Sequence, residues 1–160
     1  MKNNINETVS KIVSAYLKSP DEMTLELAMA ISRYVRVQAC KMGVNAVVAV
    51  SNSGGNPVSV QCMNDSYLAS YDVAFNKAYT VVALKMSTID LKPLAQPGGS
   101  LYGIQFTNNG KIVIFGGGVP LYNKEGKIIG GLGVSGGSEE QDTLLAKLGG
   151  DIFKACIENI

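Results

Sequence analysis

Lys77 lies in the middle of a run, residues 68–85, whose Val73, Ala74, Phe75, Ala78, Tyr79, Val81, Val82, Ala83 and Leu84 leave little polar surface anywhere around a helix. A helix apolar on most of its circumference is largely buried. An ammonium inside it must meet a carboxylate, backbone carbonyls or the anionic group of a ligand, or else snorkel outward along its stem. Asp72 is the other charge near the start of that run. The two are five residues apart, about 140° around a helix, so they do not face each other. Asp72 either answers the positive end of the helix dipole or belongs to a site. Further along, Gly98, Gly99, Leu101 and Tyr102 occupy a stretch, residues 87–109, that is too long for a routine connector and too rich in aliphatic and aromatic residues for disorder. These residues can wall a pocket. Lys77 would then receive a ligand carboxylate, while Leu101 and Tyr102 cover an apolar face.

Other chemistry is excluded by what the chain lacks. It has no histidine, which removes the commonest general base and every Ser-His or Cys-His nucleophile arrangement. Cys40, Cys62 and Cys156 are odd in number and far apart, which predicts buried reduced thiols rather than a disulfide framework or a zinc site. Glu139 and Asp142 share one helical turn, but two carboxylates there read as capping charges, and no metal site is predicted. Gly136-Gly137 before a helix could cradle phosphate, yet Glu139, Glu140 and Asp142 would repel an anion from that helix end. The series GGLGVSGG is not a dinucleotide fingerprint, because its first glycines lie inside an antiparallel strand.

The elements that must position these groups follow from length and pattern. One compact domain spanning residues 1–160 suits 46% hydrophobic content and a mean hydropathy of +0.15. A net charge of +1 gives no electrostatic case for nucleic acid or an anionic membrane. No leader pattern or run of 18 apolar residues is present, so the expectation is a soluble, cytoplasmic protein. Helices are predicted over residues 5–17, Thr24–Met42 with Gly43 as its stop, Leu68–Lys85 and Glu139–Glu158, the last opened by a capping box at Ser138 and Gln141. Ala46–Val50 and Val58–Met63 should pair across residues 51–56, with Pro57 marking an edge.

Ten of the eighteen glycines fall between Asn109 and Gly137, among β-branched residues. Lys111–Phe115, Val119–Asn123 and Lys127–Val134 read there as three more strands. Their connections are too short for parallel crossovers, so an antiparallel meander is expected.

Several blocks in order carry a family resemblance: AxYDVAxNKAYT from Ala69, PGGSLYGI from Pro97, GGGVP from Gly116, GKIIGGLGVSGG from Gly126 and EEQD from Glu139. Over residues 22–158 the chain resembles the GlcG/HbpS family of haem-binding or haem-degrading-like proteins, a group that includes the C-terminal domain of the propanediol-utilisation protein PduO. The resemblance implies an α/β (α+β) domain with a five-stranded antiparallel sheet flanked by helices, similar to profilin-like and PAS-like modules. It also implies homo-oligomers, some of them octamers, and haem as a cofactor. Haem iron is usually held by histidine, with cysteine, methionine or tyrosine as alternatives, and Cys62, Met63, Met86 and the tyrosines are the candidates here. The expected function is a non-catalytic small-ligand-binding or accessory protein. The alternatives are an enzyme acting on a tetrapyrrole or small metabolite, and a structural accessory of diol or glycolate utilisation.

Overall fold

The computed structural model describes residues 21–158, and the helix expected over residues 5–17 lies outside them. Thr24 opens helix α1, Leu25–Lys41, by accepting a hydrogen bond from Leu27 N, and Gly43 beyond its end has φ +67°. Strands β1, Val47–Asn52, and β2, Pro57–Cys62, form the first hairpin, its turn held by Asn52 Oδ1 accepting from Gly54 N and Asn56 N. Helix α2, Ser70–Leu84, is followed by a shorter helix α3, Thr88–Ala95. Strands β3, Gly118–Tyr122, and β4, Ile128–Ser135, form the second hairpin, and α4, Glu139–Glu158, completes the chain. Among these helices none is long and apolar enough to cross a membrane.

The sheet runs β2-β1-β4-β3 with every neighbour antiparallel. Because side chains alternate along a strand, β1 serves two cores. Val48 and Val50 join Leu132, Val134 and residues of α1 and α4 on one face, while Val47 and Ala49 meet Ala74 and Ala78 of α2 on the other. Helices therefore cover both faces, which explains why β1 reads as almost continuously apolar. Gly131 and Gly133 of β4 point at α2, where a β-carbon at Gly133 would overlap the carbonyl oxygen of Ala74. The glycine-rich series is thus the bed on which α2 lies against the sheet.

Three expectations are corrected. The sheet has four strands among the described residues rather than five, because Lys111–Phe115 never joins it. It is tied to helix α2 instead: Val113 N donates to Thr80 Oγ1 at 3.0 Å, and the single proton of that hydroxyl lies between Asn76 O at 2.7 Å and Lys111 O at 3.2 Å. Ile112 is buried there as a strand residue would be, so side-chain pattern alone could not separate the two. The stretch of residues 87–109 is also no simple loop. It contains α3, capped by Ser87 at Asp90 N, and two 3-10 turns, Ile104–Phe106 and Asn108–Gly110. Pro93 sits inside α3, two residues before its end, where the missing N–H costs only one helical bond. Of the cysteines, Cys156 is buried as expected, whereas Cys40 and Cys62 are exposed at the ends of α1 and β2.

Gly133→Ala should lower unfolding stability by ~2 kcal/mol, the usual cost of forcing an atom into a packed core. Urea denaturation checks this, and an unchanged midpoint would mean that α2 does not rest on β4.

Candidate functional site

Lys77 is fully buried. Its Nζ donates to Val134 O at 2.8 Å and to Asp142 Oδ2 at 3.1 Å, and it stands 4.9 Å from the centre of the Phe115 ring. The ammonium thus meets a carbonyl, a carboxylate and an aromatic face, so its donors are occupied by the protein itself. Asp142 is also buried, and its second oxygen accepts from Gly137 N at 2.9 Å. Gly117, at φ +115°, makes room for the contact: a β-carbon there would stand 2.5 Å from Nζ. A second pair, Lys92 with Glu139 at 2.7 Å, lies nearer the surface between α3 and α4. Burial pushes the Lys77 amine below its ordinary 10.5, while Asp142, and more weakly Glu139, pull it back.

α4 begins where this network ends. Ser138 N donates to Gln141 Oε1 and Gln141 N to Ser138 Oγ, the reciprocal bonds of the expected capping box. Glu140 is held below its ordinary range first by its own backbone N–H and then by the Ser138 hydroxyl. The first-turn acids therefore serve the helix end and the buried lysine.

The other residues singled out in the sequence are spread more widely. Asp72 is exposed in the first turn of α2 and does not pair with Lys77. Gly98 is exposed with φ +85°, and Gly99 donates to Gln96 O as the chain folds back on the end of α3. Leu101 is half-buried and Tyr102 exposed. None of these five residues, nor Lys77, lines the groove at β3 and α4 or the recesses beside Gln141 and Lys127.

A groove of about 590 Å³ lies between edge strand β3, its turn, and helix α4. Val119, Pro120, Phe153 and Ile157 supply apolar surface, Tyr122 a phenol, and Lys124, Lys147 and Lys154 the cations. Lys147, Gly150, Asp151 and Lys154 recur along one face of α4, a spacing visible in the sequence. What no local pattern reveals is that β3 runs beside that face. A polar recess of about 390 Å³ lies at the start of α4, around Asn45, Asp65 and Gln141. A third of about 360 Å³ lies between Tyr122, Lys127 and Lys85. Among the described residues, no group of three or more Cys, Asp or Glu side chains is placed to hold a metal ion.

The family model described as "Haem degrading protein HbpS-like" matches residues 23–150. A 15.0 kDa Citrobacter freundii protein encoded between dhaT and dhaS is 44% identical over 131 residues, covering 82% of this chain and 92% of that protein. The corrinoid adenosyltransferase PduO of Citrobacter freundii is 36% identical over 151 residues, covering 89% of this chain but 45% of its own length. The chain therefore spans less than half of PduO. Among solved structures, a PduOC:heme complex superposes with a TM-score of 0.74 at 38% identity, covering 76% of this chain and 88% of that one.

Lys77→Met should cost about 3–5 kcal/mol, because it strands the Asp142 carboxylate in the interior, and pairing it with Asp142→Leu should recover most of that loss. The pH dependence has a definite sign. With the folded amine below 10.5, the unfolded chain binds more protons between the two values, so Lys77 makes stability rise with pH across that window. The rise is complete above the unfolded value. Chemical denaturation of wild type and Lys77→Met from neutral to alkaline pH should show it in the difference between them, and parallel curves would contradict it.

Proposed function

This chain belongs to the HbpS-like family, and from that premise we propose that it is a non-catalytic, cytoplasmic ligand-binding or accessory protein whose guest is haem or a related tetrapyrrole. The observation that carries this reading is the likeness to a relative whose solved structure is a haem complex, at 38% identity and with the same fold. The residues present fit the ring of such a guest better than the commonest attachment of its iron. No histidine exists in the chain, and of the other ligand types only the phenol of Tyr122 lines the groove between β3 and α4. That groove does offer an apolar surface with lysines around it, which suits a flat ring bearing carboxylates. The competing location is the Gly98-Gly99 turn with Leu101 and Tyr102, where Tyr102 and Phe106 expose aromatic surface to a guest, and Asp72 is a separate exposed carboxylate on α2. Lys77 supports either location from below, by fixing α2 to α4.

Assembly of several copies belongs to the same reading. Tyr67, Leu68 and Tyr71 are exposed at the head of α2, Leu68 at 95%, and adjoining apolar side chains left to water mark a contact surface. A second reading, an enzyme that consumes the tetrapyrrole, is favoured by the description of the family as haem degrading. A third, an accessory of diol utilisation, is favoured by the likeness to PduO.

Titration with haemin should saturate at a fixed stoichiometry, with a haem band that shifts when a reductant takes the iron from ferric to ferrous but does not decay in air, and native mass spectrometry should show a multimer. Absence of any spectral change on titration would remove the tetrapyrrole reading, and progressive loss of the band with reductant and dioxygen both present, faster than for haemin without protein, would favour the enzyme instead.

A further inference from the structure

We propose that the groove between β3 and α4 is the seat of the guest, and that it recognises a flat apolar dicarboxylate through ring contacts and two ammonium groups rather than through iron. This rests on the tetrapyrrole reading and adds to it a place and a chemistry. The groove is large, about 590 Å³, and open along one side. Its apolar surface is offered mainly by half-buried Val119 and Pro120 of the edge strand, over a floor in which Phe153 and Ile157 of the helix are buried. Gly150 lets the two approach closely and leaves the floor between them free of a side chain, since a β-carbon there would already stand 3.3 Å from Val119 Cγ2.

The groove is lined by three lysines, Lys124, Lys147 and Lys154, and two carboxylates, Asp151 and Glu158, so the excess charge is positive by one. Glu158 is engaged by Lys154 at 3.8 Å. Asp151 also lines the α4 wall and, after burial, holds the Tyr34 phenol of α1 above its ordinary value, but a neutral phenol supplies it no countercharge, so a guest anion must sit toward the lysines and away from it. Lys124 and Lys147 take part in none of the ion pairs among the described residues. They stand on opposite walls, one in the β3–β4 turn and one on α4. Two cations of this kind flanking an apolar surface suit a ring with two acidic arms, and neither needs the ring to hold a metal. Pro120 adds a related constraint. It lacks an N–H, so β3 is blunted as an edge for further strand pairing, leaving this side of the sheet to a guest that makes no backbone ladder.

The test uses haemin and metal-free protoporphyrin IX as separate probes, titrated by absorption and porphyrin fluorescence into the full chain. Both should bind wild type, with dissociation constants within about threefold of each other. The double variant Lys124→Glu/Lys147→Glu should weaken both by about tenfold, as expected for reversing two exposed charges. Both lysines are exposed, so this variant should keep the wild-type melting temperature. Gly150→Leu, which fills the groove, should weaken both probes further, and Tyr102→Ala should change neither. Binding of haemin alone would overturn the proposal in favour of iron ligation. Equal binding by the charge-reversed variant, or loss on Tyr102→Ala, would overturn the location while leaving the tetrapyrrole reading intact. Failure of wild type to bind either probe would overturn both.

Discussion

A single buried ammonium holds the layers of this molecule together. Lys77 rises from α2 through the end of the sheet to the first turn of α4, touching Val134 of β4 and Asp142 on the way. Desolvating two charges costs several kcal/mol before any attraction is counted, so such a pair is weak evidence for stability. Its value here is positional. Asp142 also takes Gly137 N, which fixes the turn between β4 and α4, and Phe115 closes over the ammonium from the segment that precedes β3. Three elements distant in sequence are set in register by one cation. Apolar contacts alone, which have no direction, would not choose that register.

The same economy governs the glycines. On one face, Gly131 and Gly133 bring α2 down onto the backbone of β4. On the other, a β-carbon at Gly149 of α4 would meet Leu132 and Val35, so this helix too is packed closely against the sheet and α1. The next residue, Gly150, faces β3, where a β-carbon would stand 3.3 Å from Val119 Cγ2, and it lines the groove. Adjacent glycines in one helix therefore act alike on two neighbours: Gly149 lets α4 sink against the sheet and α1, and Gly150 lets its rim approach β3.

Much of this was legible in the residues. Thr24, Ser138 and Gln141 marked helix starts that the structure confirms, and the short connections around Asn123–Lys127 required antiparallel pairing. The burial of Lys77 followed from the greasy helix around it, but its partner did not. Asp142 lies 65 positions away and had an adequate local explanation as a capping charge. Lys111–Phe115 misled because burial of Ile112 against a helix imprints the same alternation as burial in a sheet, and only Thr80 decides between them. Helix α3 was hidden by Pro93, a residue that breaks long helices but is tolerated near the end of short ones. The groove was invisible for a different reason: its two walls are distant in sequence, and nothing in β3 announces that α4 will lie beside it.

The central claim is that the buried pair is scaffold and the groove is site, and one spectrum separates them. Isotope-labelled protein would be observed by NMR, following backbone amides, methyl groups and lysine ammonium groups, before and after addition of metal-free protoporphyrin IX. Shifts centred on Val119, Lys124, Lys147 and Ile157, with the Lys77 ammonium slowly exchanging and unmoved, are what this account predicts. Shifts centred on Lys77, Leu101 and Tyr102, or a Lys77 ammonium in rapid exchange with water, would contradict it.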